Sequence, residues 1–174
     1  LFRARGLDLA EISLLVACYG ITTAVCELPT GGLADVLGRR PVLMAAAVLF
    51  VAHALLHGLG QTLPVLALGS VVGGLARALD SGPLQAWFVD TIHGVDADAD
   101  LKPGLARGMA IGAAALGAGA LAGGALVSLA PLPTRGAAVV SLSVPFLVSA
   151  AISVVSTVAI ARWVREPARE RRLG

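Results

Sequence analysis

A chain of 174 residues with 57% apolar and only 14% charged side chains cannot be an ordinary water-soluble domain, where roughly a quarter of the residues carry charge. The formal net charge of +2 is too small to mark a nucleic-acid partner, so the placement of the charges along the chain says more than their sum. The composition predicts an all-α integral membrane protein, its alanines and glycines allowing helices to approach closely in lipid.

Residues 1–9 hold Arg3, Arg5 and Asp8 and read as a polar loop. The chain opens on Leu1-Phe2-Arg3, without an initiator methionine or a signal peptide, which predicts a start inside a longer protein. Residues 10–33 form the first predicted span, about 24 residues and enough to cross a hydrocarbon core of roughly 30 Å. Pro29 falls in its last third and frees the carbonyl of Val25, so a kink is expected there. Cys18 and Cys26 lie about 12 Å apart along such a helix, too far for a bridge, and read as small apolar fillers.

A polar hairpin follows, Gly31-Gly32-Leu33-Ala34-Asp35-Val36-Leu37-Gly38-Arg39-Arg40, the one strongly charged interruption between two long apolar runs. Its guanidinium groups place it at a membrane surface, and its glycines permit a sharp turn. Asp35 stands where a carboxylate can accept from the free N–H groups of a helix start. The second span, 41–58, has Pro41 in its first turn and ends on Gly58-Leu59-Gly60-Gln61. The third, 64–92, carries Arg77, Asp80, Ser81, Gly82 and Pro83 in its middle. An acidic loop with Asp96, Asp98 and Asp100 occupies 93–103. The fourth span, 104–130, is nearly all Ala, Gly and Leu, and Pro131, Pro133 and Arg135 mark the next turn. The fifth span, 137–164, contains Pro145 and leads into a basic tail, 165–174. Five transmembrane helices are thus expected.

The hairpin also carries a family resemblance. Gly31, Leu33, Ala34, Asp35, Gly38, Arg39 and Arg40 resemble the G-x-L-A-D-x-x-G-R-R loop of the major facilitator superfamily, which joins the second and third helices of those secondary transporters on the cytoplasmic side. Glu27-Leu28-Pro29-Thr30 extends the resemblance to the E-x-P-T-G form of bacterial efflux-type members, while Val36 stands where the family often has a basic residue. The resemblance implies that the chain is a partial N-terminal transmembrane domain. It would hold family helices 2 to 6 of a six-helix half, with the first helix and the C-terminal half of the same transporter as its missing partners. The family's cytoplasmic hairpin puts Arg39, Arg40, Lys102, Arg107, Arg162, Arg165, Arg169, Arg171 and Arg172 inside, against Arg3, Arg5 and Arg135 outside. That is the bias of the positive-inside rule, and it predicts a multi-pass protein of the cell (inner) membrane with the tail cytoplasmic.

Glu27, Arg77 and Asp80 are ionisable residues at membrane depth, where an unpaired charge costs at least a few kcal/mol. Each is expected to face a partner or a wet cavity on a substrate or proton pathway, and Arg77 and Asp80 are close enough on one helix to meet. Glu27 or Asp80 is the candidate proton carrier. The resemblance further implies that Asp90 bridges Arg39, and that Gly31, Asp35, Gly38, Arg39, Arg40 and Asp90 together form a conformational latch. A surface ion pair of little weight is the plainer alternative. The four-residue recurrence of Gly104, Gly108 and Gly112, and of Ala115, Gly119 and Gly123, predicts helix packing. Gly119-Ala120-Leu121-Ala122-Gly123-Gly124 resembles the G-P-x-x-G-G signature of drug/proton antiporters, with Ala120 in place of the proline. His53 and His57 are one helical turn apart, but no acid or thiol stands nearby in sequence, so they read as a pair at a lipid or helix interface rather than a metal site. No catalytic order, cofactor or nucleotide motif is present, and an enzyme is not expected. The expected function is proton-coupled export of a small drug-like solute by alternating access. A sugar or metabolite importer of the same fold, and a truncated membrane protein acting through helix–helix binding, are the alternatives.

Overall fold

The computed structural model describes residues 1–81, 83–96, 98–129, 132 and 139–164, and among them every regular element is a helix. A 3-10 turn (Arg3–Arg5) precedes α1 (Leu9–Gly31), the one-turn α2 (Leu33–Leu37), α3 (Arg39–Leu59), α4 (Leu63–Asp80), α5 (Pro83–His93) and α6 (Lys102–Leu129). A second 3-10 turn (Ser141–Ser143) opens α7 (Val144–Trp163). Among the described residues, five stretches are long and apolar enough to cross a membrane: Leu9–Thr30, Arg39–Leu59, Leu63–Asp80, Lys102–Leu129 and Ser141–Trp163.

Local chemistry sets the boundaries. α1 starts at Leu9 because Asp8 and Glu11 form a reciprocal capping box: the Glu11 N–H donates to Asp8 Oδ1 (2.8 Å) and the Asp8 N–H to Glu11 Oε2 (2.9 Å). The helix runs through Pro29, and Thr30 turns its hydroxyl back to the Cys26 carbonyl at 2.6 Å. Gly38 adopts φ 97° and ψ 155°, a conformation reserved for glycine, and so lets α2 pass directly into α3.

The third expected span, 64–92, is two helices rather than one. A proline at position 83 has no N–H to return to Leu79, so a helix continued through it would lose that bond. The chain therefore leaves α4 at Ser81, which is extended (φ −69°, ψ 110°), and begins again as α5. The fifth span also starts later than 137: α7 begins at Val144, so Pro145 lies in a first turn, where the missing donor costs nothing, instead of inside the helix. Residues 131, 133–138 and the basic tail 165–174 lie outside the described residues.

α4 sits between α1 and α3, and α7 packs on α3, whereas α6 touches its neighbours little. Lipid supplies no hydrophobic force between apolar helices, so close backbone approach must hold the first three spans together. The glycines of α4 provide it. A Cβ at Gly74 would stand 2.6 Å from the Tyr19 carbonyl oxygen of α1, and one at Gly69 would stand 2.7 Å from His57 Nδ1 of α3. Thr23 and Thr30 of α1 donate to the Gly74 and Ala78 carbonyls, both at 3.2 Å. Two apolar clusters complete the packing, Leu7–Leu15–Leu66 toward one end and Ala34–Val42–Ala46–Leu79 toward the other.

Candidate functional site

The two ends of the bundle are tied by arginines. At the first end, Arg39 opens α3 and pairs with Asp90 of α5. The Arg39 side chain is 19% exposed and that of Asp90 51%, so the pair is half-solvated and contributes roughly 0–1 kcal/mol. Arg40 reaches the other way, donating to the Ala161 carbonyl at 2.5 Å, where a cation complements the C-terminal dipole of α7. The hairpin thus meets α5 and α7 at once, and Arg162 lies at this same end of the bundle. Gly31 ends α1 and Asp35 lies in α2; the surroundings of these two expected latch members are not among what is described. Asp100 accepts from the Lys102 N–H at the start of α6 (3.0 Å), and Gly104 lies against the Phe88 ring of α5.

The charges expected at membrane depth are not gathered in one place. Arg77 and Asp80 approach to 3.7 Å, with side chains 54% and 40% exposed. Asp80 borders a cleft of about 180 Å³ between α3, α4 and α7, together with Phe50, Ser153 and Ser156. Arg77 is not among its lining residues. Glu27 is exposed on α1 and makes no ion pair among the described residues. On α6, Gly108, Gly112 and Gly119 have nothing within 4 Å of a built Cβ, and Gly123 reaches only Pro145 at 3.9 Å. In α4, by contrast, Gly69, Gly73 and Gly74 all carry close contacts to neighbouring helices, although the sequence reading assigns packing to α6. The four-residue recurrence of Gly69 and Gly73, and of Ser70 and Gly74, is as visible as that of α6.

At the second end, Arg5 donates to the carbonyls of His57 (2.8 Å), Gly58 (2.6 Å) and Gly60, and to Ser143 Oγ (3.2 Å). These oxygens close α3 and precede α7, so one guanidinium caps α3 and fastens it to the start of α7. Burial lowers the Arg5 pKa from its usual value, yet a guanidinium stays charged at any physiological pH. Sequence had placed Arg5 in a plain loop, and no local pattern announces carbonyl partners more than fifty residues away.

The two histidines lie beside this clasp. His53 Nδ1 is 2.8 Å from the Gly69 carbonyl oxygen and His57 Nδ1 is 3.1 Å from that of His53. A carbonyl only accepts, so both neutral rings carry their hydrogen on Nδ1. His57 Nε2 then accepts from the Ser70 hydroxyl at 3.4 Å. The rings stand 4.4 Å apart. Among the described residues, no three His, Cys, Asp or Glu side chains gather to hold a metal.

Five apolar spans, linked alternately at two arginine-tied ends, define a multi-pass membrane protein. A family model described as Major Facilitator Superfamily matches residues 1–174, and the chain belongs to that superfamily of membrane transporters. Over 70 residues the chain is 30% identical to the inner membrane transport protein YajR of Escherichia coli (strain K12). The match covers 40% of this chain and spans about 15% of that relative's length. No solved structure gives a significant match.

Proposed function

We propose that the chain supplies the second to sixth helices of a proton-coupled secondary transporter that exports a small, drug-like organic solute by alternating access. It would sit in the inner membrane with the Arg39 end and the tail cytoplasmic. The Arg39–Asp90 ion pair, formed by the hairpin that resembles the family loop, is the observation that carries this reading. In such a cycle one end closes while the other opens, and a contact at one end biases the ratio of the two states. A half-exposed pair contributing up to about 1 kcal/mol shifts that ratio about fivefold, enough to act as a latch without locking the protein. Gly38 gives the turn its shape, Arg40 reaches α7, and Gly31 and Asp35 complete the latch against the C-terminal half.

Proton coupling is assigned to Glu27 and Asp80, since acids within membrane spans are the usual proton carriers. Asp80 has the cleft and the hydroxyls of Ser153 and Ser156 beside it, and Arg77 close by to offset its charge. Export rests on the Glu27-Leu28-Pro29-Thr30 resemblance to efflux-type members. The test is solute accumulation in cells carrying the complete gene, with and without a proton gradient. Asp90→Arg and Arg39→Asp are each expected to lower transport several-fold, and the double swap to restore it; no rescue removes the latch. Glu27→Gln or Asp80→Asn is expected to abolish the gradient dependence, and its persistence in both removes the coupling. Gradient-driven uptake instead of depletion reassigns the direction to import.

A further inference from the structure

The Arg5 clasp and the histidine pair are built on the same residues, and neither has a part in the transport reading above. Arg5 holds the carbonyl of His57 itself, then those of Gly58 and Gly60 and the hydroxyl of Ser143. The His57 ring is buried, with Phe2 from the segment before α1 and Phe146 from α7 against it at centroid distances of 5.5 and 5.9 Å. Its Nε2 is the one ring nitrogen with a lone pair and faces Ser70 of α4. The charges that act on it are Arg5, from the segment before α1, and His53 one turn below on α3. α4 contributes only the Ser70 hydroxyl, α7 an uncharged phenyl ring, and α1 brings Tyr19 to 6.2 Å from the His53 ring. Among these neighbours no carboxylate compensates a new positive charge.

We propose that the His53–His57 pair is a proton-binding site whose occupation releases the Arg5 clasp. A proton taken from the water at the Arg5 end comes to rest on His57 Nε2, the ring nitrogen that faces Ser70. Nε2 changes from acceptor to donor, so the Ser70 hydroxyl loses its acceptor and must turn. A second cation now stands beside Arg5 with little water to screen it, and like charges at short range repel most strongly where the surroundings are least polar. Arg5 can relieve this by leaving the carbonyls for water, because each of its partners lies at a helix end near the surface. The rings also fill the contact with α4, where Cβ atoms at Gly69 and Gly73 would stand 2.7 and 2.3 Å from the two Nδ1 atoms. A hydrated imidazolium needs more room than that seam gives. Proton binding therefore loosens the α3–α4 and α3–α7 contacts at this end, whatever solute the protein moves.

The test reads opening directly, in the complete protein freed of its cysteines. Val140→Cys places a thiol in a buried position, 3% exposed, next to Ser143. Its rate of labelling by a membrane-impermeant maleimide is divided by that of the exposed Thr62→Cys, which removes the intrinsic pH dependence of the thiol. Between about pH 8 and about pH 3, a range that extends well below the titration of an exposed imidazole, the ratio is expected to rise about tenfold. With His53→Gln and His57→Gln together it should stay flat, and with Arg5→Gln it should be high at every pH. A flat ratio in the parent, or an equal rise without the histidines, overturns the proposal. If the double variant fails to fold, ring carbon NMR of the parent decides: His57 must gain its proton within about one pH unit of the labelling midpoint, and a wider gap overturns it.

Discussion

α4 and α6 are both glycine-rich apolar helices with small residues every four positions, yet they do opposite things. The glycines of α4 are buried, with the Tyr19 backbone of α1 on one side and the imidazoles of α3 on the other. Beyond Gly104, which lies against the Phe88 ring in the first turn, and Gly123, which only reaches Pro145, the glycines of α6 face open space among the described residues, and no residue of that helix is buried. A small-residue stripe is thus a permission for two backbones to approach, and a partner at the right height must use it. α4 has partners that bring hydrogen-bond donors, Thr23 and Thr30 from α1 and His53 from α3, which convert proximity into directed contacts.

The contrast can be broken most severely at Gly74. Gly74→Val would push a side chain into the Tyr19 carbonyl, which cannot move away as a flexible side chain could. We expect a loss of about 3 kcal/mol, the upper end for overpacking, read as a lowered melting temperature and reduced membrane-inserted yield. Next comes the hairpin: Gly38→Ala forces a Cβ onto φ 97° and should cost about 2 kcal/mol, within the range for glycine-only backbone, with the same melt as readout. Thr30→Val removes the hydroxyl shared between the Cys26 and Ala78 carbonyls and should cost about 1 kcal/mol, a typical net hydrogen bond. The smallest effect is expected on α6. Gly112→Ala meets nothing and gains helix propensity, so the melt should be unchanged or raised by up to about 1 kcal/mol. A clear loss there would show that another part of the protein covers the stripe.

The spans, their number and the hairpin were legible because each is written in contiguous residues: long apolar runs, and one tight cluster of glycine, acid and arginine. The Arg39–Asp90 partnership was legible only through the family resemblance, since nothing in their fifty-one-residue separation specifies it. The break at Ser81 was half legible. Pro83 was noted inside a span, but whether a proline kinks a helix or ends it depends on whether neighbours re-satisfy the freed backbone, and α1 continues through Pro29 while α4 stops before Pro83. The capping box of Asp8 and Glu11 is written in plain sequence, although the loop reading of residues 1–9 separates Asp8 from the helix it caps. Arg5 could not have been found that way, because three of its four acceptors are carbonyl oxygens, which every residue has.

By itself, then, the sequence determined that this protein is a stack of apolar helices with a charged turn at one surface, for hydropathy and turn chemistry act locally and survive without neighbours. Tertiary structure alone decided which glycines are pressed against another backbone, which arginine closes the second end, and that Asp80 rather than Arg77 borders the cleft between α3, α4 and α7. Those outcomes depend on the rotation and height of each helix against the next, and in lipid these are fixed by close contact and hydrogen bonding across the interface rather than by the period of the residues.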